Sequence, residues 1–147
     1  MKQIKETAYA KINLGLDILG KREDGYHEVS MIMQSVGLSD EVVISKGNGI
    51  QISCNLHNLS CGPDNLAYTS YCAVLNTMSE EVRGVKIHID AHIPICRGLG
   101  SSAALLVAGA MGANVLRGNK LSTQGLLNTT TAREGHQDNL APAFYGG

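Results

Sequence analysis

Residues 94–104 combine a proline, two closely spaced glycines and two adjacent serines in the order PICRGLGSSAA. Gly98 and Gly100 allow a sharp turn that brings backbone N–H groups close to a ligand. A helix that starts directly after the turn points its unpaired amides and the positive end of its dipole at an anion. Ser101 and Ser102 are expected to cap this helix and to offer a hydroxyl to a phosphate-bound magnesium ion, while Ala103 keeps the first turn small. The segment therefore predicts a phosphate-binding loop.

Two other glycine-rich motifs are compatible with parts of this segment. A Walker A loop is excluded because no Gly-Lys-Ser/Thr follows at the required spacing. Gly98, Gly100 and Ala103 fit the looser GxGxxG/A dinucleotide pattern, but Pro94 separates the preceding strand from the first glycine, and the next acid after the loop is Glu134. A turn that only caps a helix remains an open alternative.

The spacing of apolar residues along the sequence predicts the strands and helices that would position this loop. Strict alternation over residues 84–92 predicts a strand before the loop, with His88, Asp90 and His92 on a solvated face rather than in a metal site. A helix with one stripe of small and apolar residues is expected from Ser101 or Ser102 to about Leu116. Further strands are expected over residues 7–19, 27–37 and 41–54. Further helices are expected after a cap at Asp64-Asn65 and over residues 122–132, and a turn-rich segment at 134–139 follows the second of them. This order predicts an α+β domain with helices on one face of a sheet.

Bulk properties limit the function classes. The 147 residues fit one domain, and a formal charge of -1 without a dense basic block makes nucleic acid a poor partner. Charged residues interrupt the first 20 positions, so neither a signal peptide nor a membrane span is expected, and the chain is predicted to be cytoplasmic. The four cysteines contain no CxxC pair and are expected to be reduced and mostly buried.

Residues 94–104 match the second motif of the GHMP kinases, P-x-x-x-G-L-G-S-S-A-A, at every fixed position. Residues 8–14, AYAKINL, resemble the first motif of the same family. The resemblance implies a ribosomal protein S5 domain 2-like fold, with helices packed on a mixed sheet, that binds ATP and Mg²⁺. It also implies that residues 1–147 form the amino-terminal ATP-binding domain and that the family's carboxy-terminal domain is absent, so a homodimer or a separate carboxy-terminal domain is a possible partner.

Two branches of the family are represented in different parts of the chain. Residues 24–28, 33–35 and 64–68 most resemble the 4-diphosphocytidyl-2-C-methyl-D-erythritol kinases of isoprenoid precursor synthesis, which favours that small-molecule alcohol as the substrate. Residues 134–142 instead resemble the E-G-H-P-D-N-V-A-P segment of homoserine kinases, with Gln137 in place of the proline. Homoserine or another small alcohol is therefore the second expectation, and a non-catalytic nucleotide-binding fragment is the third.

The resemblance also implies roles for individual residues. Lys11 would stabilise charge on the transferred phosphoryl group, and Asp138 would be the catalytic base; the alternatives are a solvated lysine and an Asx turn. Asn13, Tyr26 and His27 would contact the substrate, with Tyr26 and His27 against a cytosine ring. Magnesium would be held by Ser101, Ser102 and Glu134. The nucleotide phosphates would lie against Pro94, Arg97, Gly98, Leu99, Gly100, Ser101, Ser102 and Ala103.

Overall fold

The computed structural model of the chain describes residues 3–146. Four strands form one sheet in the order β1-β2-β4-β3, in which β3 pairs parallel to β4 and the other neighbours are antiparallel. The predicted α+β class with helices on a mixed sheet is confirmed. In chain order the elements are β1 (Gln3–Lys21), β2 (His27–Lys46), β3 (Ile50–Cys54), α1 (Leu66–Thr77), β4 (Val85–Asp90), α2 (Ser101–Leu116), α3 (Thr123–Glu134) and α4 (Leu140–Tyr145).

Strand β4 shows which face of the sheet carries the core. Its alternating residues Val85, Ile87 and Ile89 are fully buried. On the opposite face His88 is exposed and lies 2.8 Å from the hydroxyl of Ser53, and at the end of the strand Asp90 and His92 form a partly exposed pair at 3.1 Å. The helices therefore cover one face, and the histidines lie on the solvent side.

Strands β1 and β2 form a hairpin that extends well beyond the rest of the sheet. Strand β4 pairs with β2 only over residues 41–46, so beyond that stretch β1 and β2 pair only with each other in the sheet. Apolar side chains are exposed along it, among them Leu14, Leu16, Ile18, Leu19 and Ile32. The predicted strand and reversal over residues 7–25 are confirmed in type, and the strand is longer than expected.

The expected division into strands at 27–37 and 41–54 is wrong. Strand β2 continues through residues 38–40, and the chain breaks instead at residues 47–49. Two glycines explain the position of the break. A Cβ on Gly47 would lie 2.8 Å from the carbonyl carbon of Val85, and Gly49 has a φ of +71°, which other residues rarely adopt.

Helix α1 begins as the sequence indicates, because the Asn65 side chain accepts hydrogen bonds from the amides of Ala67 and Tyr68. Helix α2 begins differently. Its N-cap is Gly100, and no side chain caps it, so the expectation that Ser101 or Ser102 caps this helix is wrong. Both serines are instead the first two residues of the helix.

Helix α2 is buried on nearly all sides rather than along one stripe. Toward the sheet and α1 it contributes Ala104, Leu105 and Ala108 to the main core. On the other side it forms a smaller apolar cluster with α3 and α4, made of Ala103, Leu106, Val107, Leu127 and Leu140. The α2 helix is therefore the centre of the domain.

The carboxy-terminal helices differ from expectation in extent. Helix α3 ends at Glu134 with Gly135 in the left-handed region, two residues later than expected, and the short helix α4 follows the turn-rich segment without having been predicted. Six residues are too few for a periodic signal. None of the helices within residues 3–146 is long and apolar enough to cross a bilayer.

None of the four cysteines is fully buried, so the expectation of mostly buried thiols is wrong. Cys61 and Cys96 are exposed, Cys54 and Cys72 are half-buried, and all four are free thiols.

Candidate phosphate-binding site

The connection from β4 to α2 forms a concave turn at the start of the helix. Gly98 and Gly100 have φ values of +74° and +79°, in the left-handed region that glycine adopts without strain. The first helical hydrogen bond runs from the Ala104 amide to the Gly100 carbonyl at 2.9 Å, so the amides of the preceding helical residues have no partner within the helix. A cavity of about 190 Å³ lies at this point, large enough for phosphate groups; it is lined by Ile95, Cys96, Arg97, Gly98, Leu99, Gly100, Ser101, Ser102 and Asn139.

The individual loop residues differ in what they can offer a ligand. Pro94 and Arg97 are exposed, whereas Leu99 is half-buried against the core. Ala103 is 1% exposed, with its side chain in the cluster under α3 and α4, so only its backbone can face the turn. The groups that could contact an anion here are therefore mainly the backbone amides and the Arg97 side chain.

Asp40 of β2 fixes the chain just before the loop. Its Oδ1 accepts hydrogen bonds from the amides of His92 at 2.6 Å and Ile93 at 2.8 Å. The side chain is completely buried, and its Oδ2 has no hydrogen-bond partner among residues 3–146. Burial raises the pKa of the Asp40 carboxyl above its ordinary value, and the two amides oppose that change without cancelling it. The loop is therefore attached to the sheet through a carboxyl group that is costly to ionise.

We expect this group to make stability depend on pH. The raised pKa means that the folded chain binds more protons than the unfolded chain just above the ordinary aspartate range, so the contribution of Asp40 is full at lower pH and is lost as pH rises through that window. Asp40→Asn keeps an acceptor for both amides and cannot ionise. The free energy of unfolding of this variant, relative to the parent, should increase as the pH rises above about 4, the ordinary aspartate pKa.

Urea denaturation of both proteins at several pH values measures this difference in the free energy of unfolding. A destabilisation by the new amide that is independent of pH does not change how the difference varies with pH. Asp17→Asn, at an exposed position of β1, is the matched control. A difference between Asp40→Asn and the parent that does not vary with pH would contradict the expectation.

Lys11 lies against the same turn. Its amide donates a hydrogen bond to the Leu99 carbonyl at 3.0 Å, and its Cγ lies 3.1 Å from the position that a Cβ on Gly100 would occupy. The side chain is half-buried. A cation placed beside a helix amino terminus and an amide-lined turn can add to the attraction of a phosphate group.

Glu134 and Ser102 are brought together from helices α3 and α2. The Ser102 hydroxyl donates to Glu134 Oε1 at 3.4 Å, and both residues are half-buried beside the loop. Ser101 lines the cavity, and within residues 3–146 it makes no side-chain hydrogen bond with Glu134. Within the described residues no group of three or more His, Cys, Asp or Glu side chains could hold a metal ion. The oxygen pair fits Mg²⁺ that keeps most of its ligands from water and phosphate.

A second, larger cavity of about 480 Å³ lies on the other side of the segment before α4. It is lined by Met31, Met33, Gln137, Asp138, Ala141, Pro142 and Tyr145. Asp138 is exposed there, and the adjacent Asn139 lines the loop cavity. The Ser35 hydroxyl, on the β2 residue paired with Lys11, donates to the Pro142 carbonyl at 3.1 Å and fixes α4 against the hairpin. Residues 138–139 therefore separate two cavities.

The predicted substrate residues lie along the hairpin, away from the loop. Asn13 pairs with Met33 of the larger cavity, and its side-chain oxygen accepts from the Gly15 amide at 3.2 Å. Tyr26 is 73% exposed at the far end, where His27 begins β2 and pairs with Lys21. At about 3.3 Å per residue, His27 lies roughly 20 Å along the strand from Met33.

Sequence reasoning missed Asp40, the apolar wall of the larger cavity and the orientation of Asn139. The alternation of Met31 and Met33 along β2 places them on one face and was the available signal for that wall. No sequence signal connects Asp40 to residues 92–93, because that contact depends on how β2 and β4 are paired.

Comparison with known proteins identifies the family. The model of the GHMP kinases N terminal domain matches residues 65–147, more than half of the chain. The chain belongs to the GHMP kinase family. The members of this family are small-molecule kinases that use ATP as the phosphate donor.

Two curated relatives are named 4-diphosphocytidyl-2-C-methyl-D-erythritol kinase. That of Thermoanaerobacter pseudethanolicus is 46% identical over 107 residues, which cover 71% of this chain and 36% of the relative. That of Geobacter sp. (strain M21) is 40% identical over 129 residues, which cover 86% of this chain and 46% of the relative. The chain spans less than half of the length of each of these relatives.

Solved structures resemble the fold throughout. A homoserine kinase from Cytophaga hutchinsonii has a TM-score of 0.78 and 27% identity, covering 100% of this chain and 47% of that one. A 4-(cytidine 5'-diphospho)-2C-methyl-D-erythritol kinase has a TM-score of 0.73 and 25% identity, covering 94% of this chain and 48% of that one. The chain again spans about half of each neighbour.

Proposed function

We propose that this chain binds ATP at the turn before α2 and takes part in phosphoryl transfer to the hydroxyl of a small-molecule alcohol. The observation that carries the proposal is the segment at Asp138 and Asn139, which separates the amide-lined turn from the larger cavity. A phosphate chain in one cavity and an alcohol in the other would meet at this segment. ATP would supply the γ-phosphoryl group, and Ser102 and Glu134 would hold Mg²⁺, whose charge would offset that of the phosphates.

The chain's own residues would act by positioning and by charge. The amides at the start of α2 bind phosphate oxygens, and the Lys11 ammonium group stabilises negative charge on the transferred group. Asp138 accepts the proton from the attacking hydroxyl. Its exposure to the larger cavity leaves it free to approach an alcohol there.

We infer that 4-diphosphocytidyl-2-C-methyl-D-erythritol is the first candidate substrate. The names of the curated relatives favour it, and so does the hairpin. An elongated substrate that carries a cytosine ring could lie along β2, with the ring at the exposed Tyr26 and His27 and the hydroxyl near Asp138. The separation of roughly 20 Å along the strand matches such a molecule better than a small amino alcohol.

Homoserine is the second candidate. The structural similarity to a homoserine kinase and the sequence of residues 134–142 support it. A third possibility is a nucleotide-binding unit that needs a carboxy-terminal domain or a second copy for turnover, because the chain spans less than half of its curated relatives.

The test uses nucleotide binding and ADP release, with Lys11→Met compared with Lys5→Met. Both lysines lie on β1, but Lys5 is exposed and pairs with Glu41 at 2.8 Å, away from both cavities. Lys11→Met should lower turnover by about 100-fold or more, and Lys5→Met should change little. Equal activity of Lys11→Met and the parent would remove Lys11 from the mechanism.

Substrate choice is read from the same assay with the cytidyl substrate, homoserine and mevalonate. Release of ADP with homoserine alone would overturn the first candidate. Calorimetric titration of the chain with an ATP analogue decides the binding step separately. Binding without turnover on any alcohol would favour the third possibility, and absence of binding would overturn the proposal itself.

A further inference from the structure

Two thiols lie next to each other on the side of the domain that leads into α1. The Sγ atoms of Cys54 and Cys61 are 3.5 Å apart. Cys54 is the last residue of β3 and is half-buried, whereas Cys61 is exposed in the loop before α1. The two positions enclose a loop of eight residues, counting both cysteines.

The backbone holds each thiol in place. Cys54 belongs to the sheet through the parallel pairing of β3 with β4, and its Sγ lies 3.0 Å from the Leu56 carbonyl. The loop near Cys61 is attached to the start of α1, because the Asn65 side chain donates to the Ser60 carbonyl at 2.7 Å. The close approach of the two sulfur atoms is therefore a consequence of ordered backbone on both sides.

We propose that Cys54 and Cys61 form a thiol pair that a hydroperoxide oxidises to an intramolecular disulfide. The Cys61 sulfur attacks one peroxide oxygen, giving a sulfenic acid and releasing water when the peroxide is hydrogen peroxide. The Cys54 sulfur then displaces the sulfenic hydroxyl, which forms the S–S bond and releases a second water molecule. Two thiols are oxidised by two electrons, and one peroxide is reduced by the same two.

The geometry favours this bond over others in the chain. A disulfide requires an S–S separation of about 2.05 Å, so the sulfurs must approach by about 1.5 Å, a distance that rotation of the two cysteine side chains can supply. Cys96 lies in the phosphate-binding turn and Cys72 on α1, and neither has another thiol at hydrogen-bonding distance within residues 3–146. The hydrogen bond with Cys54 raises the pKa of the Cys61 thiol, so oxidation should accelerate with pH beyond the range of an ordinary cysteine.

The bond would also stiffen the support of the phosphate-binding turn. Asn55 follows Cys54 directly, and its side chain makes two hydrogen bonds with the backbone of Ala91, at 2.8 and 2.9 Å. Ala91 lies three residues before Pro94. A covalent link at Cys54 therefore constrains the chain that leads into the turn, and it constrains the unfolded state through a short closed loop.

The test measures the intact mass of the reduced chain after treatment with a small molar excess of hydrogen peroxide. The expected product is a monomer lighter by about 2 Da, with the Cys54 and Cys61 peptides joined and a melting temperature higher by several degrees. Cys61→Ser at the exposed position should abolish this product, and Cys96→Ser should retain it. A gain of about 16 or 32 Da, a disulfide-linked dimer, or loss of 2 Da in Cys61→Ser would overturn the proposal.

Discussion

Gly109→Ala should lower the free energy of unfolding by about 3 kcal/mol, the largest stability loss that we expect from adding one methyl group to this chain. A Cβ at Gly109 would lie 2.0 Å from the Ala67 carbonyl oxygen and 2.3 Å from the Ser70 hydroxyl. The first of these atoms belongs to the backbone of α1, so the two helices must separate. The higher helix propensity of alanine offsets only about 1 kcal/mol of this loss in the free energy of unfolding.

Gly112→Ala on the same helix is the matched control. Its Cβ would meet the Cδ1 atom of Ile44 at 2.5 Å, and that atom is the end of a side chain that can rotate. We expect a loss of about 1 kcal/mol or less, because a rotamer change relieves the contact. Urea denaturation of both variants measures the difference. If Gly109→Ala proves as stable as Gly112→Ala, the close packing of α1 on α2 is not what requires glycine.

Asp138→Asn should lower turnover by about 100-fold to 10,000-fold while leaving the affinity for ATP nearly unchanged. Asparagine has almost the same shape as aspartate but cannot accept the proton of the substrate hydroxyl. Asp138 lines the larger cavity, whereas the phosphate-binding turn is lined by its neighbour Asn139. The substitution therefore separates proton transfer from nucleotide binding.

The same variant tests the structural alternative for this residue. If Asp138 only stabilised an Asx turn, asparagine would serve equally well, since it is also favoured in such turns. Steady-state ADP release and calorimetric titration are measured side by side. Glu81→Gln, an exposed acid paired with Arg83 and distant from both cavities, is the control for a lost negative charge. Full turnover in Asp138→Asn would remove it as the base.

The local signals in the sequence were enough to predict most elements. Alternation identified β4, and the Asn65 cap located the start of α1. The break after β2 was misplaced because it depends on a crossing of two backbones: a Cβ on Gly84 would lie 2.1 Å from the Gly47 carbonyl oxygen. Such a contact between distant residues leaves no trace in local periodicity.

The same distinction holds for the site. The loop motif and Lys11 were readable because the family resemblance covers them, and the structure places both together. The role of Asp40 could not be predicted from the sequence, because its hydrogen-bond partners lie 52 and 53 residues away along the chain. The serine cap was mispredicted because hydroxyl residues after glycines are typical of caps, whereas here the left-handed Gly100 occupies that position.

The burial of α2 on nearly all sides limits which amino-acid substitutions the chain can accept during evolution. The helix that begins at the candidate phosphate-binding turn is also the helix around which both apolar clusters are packed. A substitution in either cluster that moves α2 along its axis would also move those amides relative to a bound phosphate. Changes in the packing around α2 and changes in ligand affinity are therefore coupled, and neutral variation should accumulate at exposed positions away from both cavities rather than around this helix.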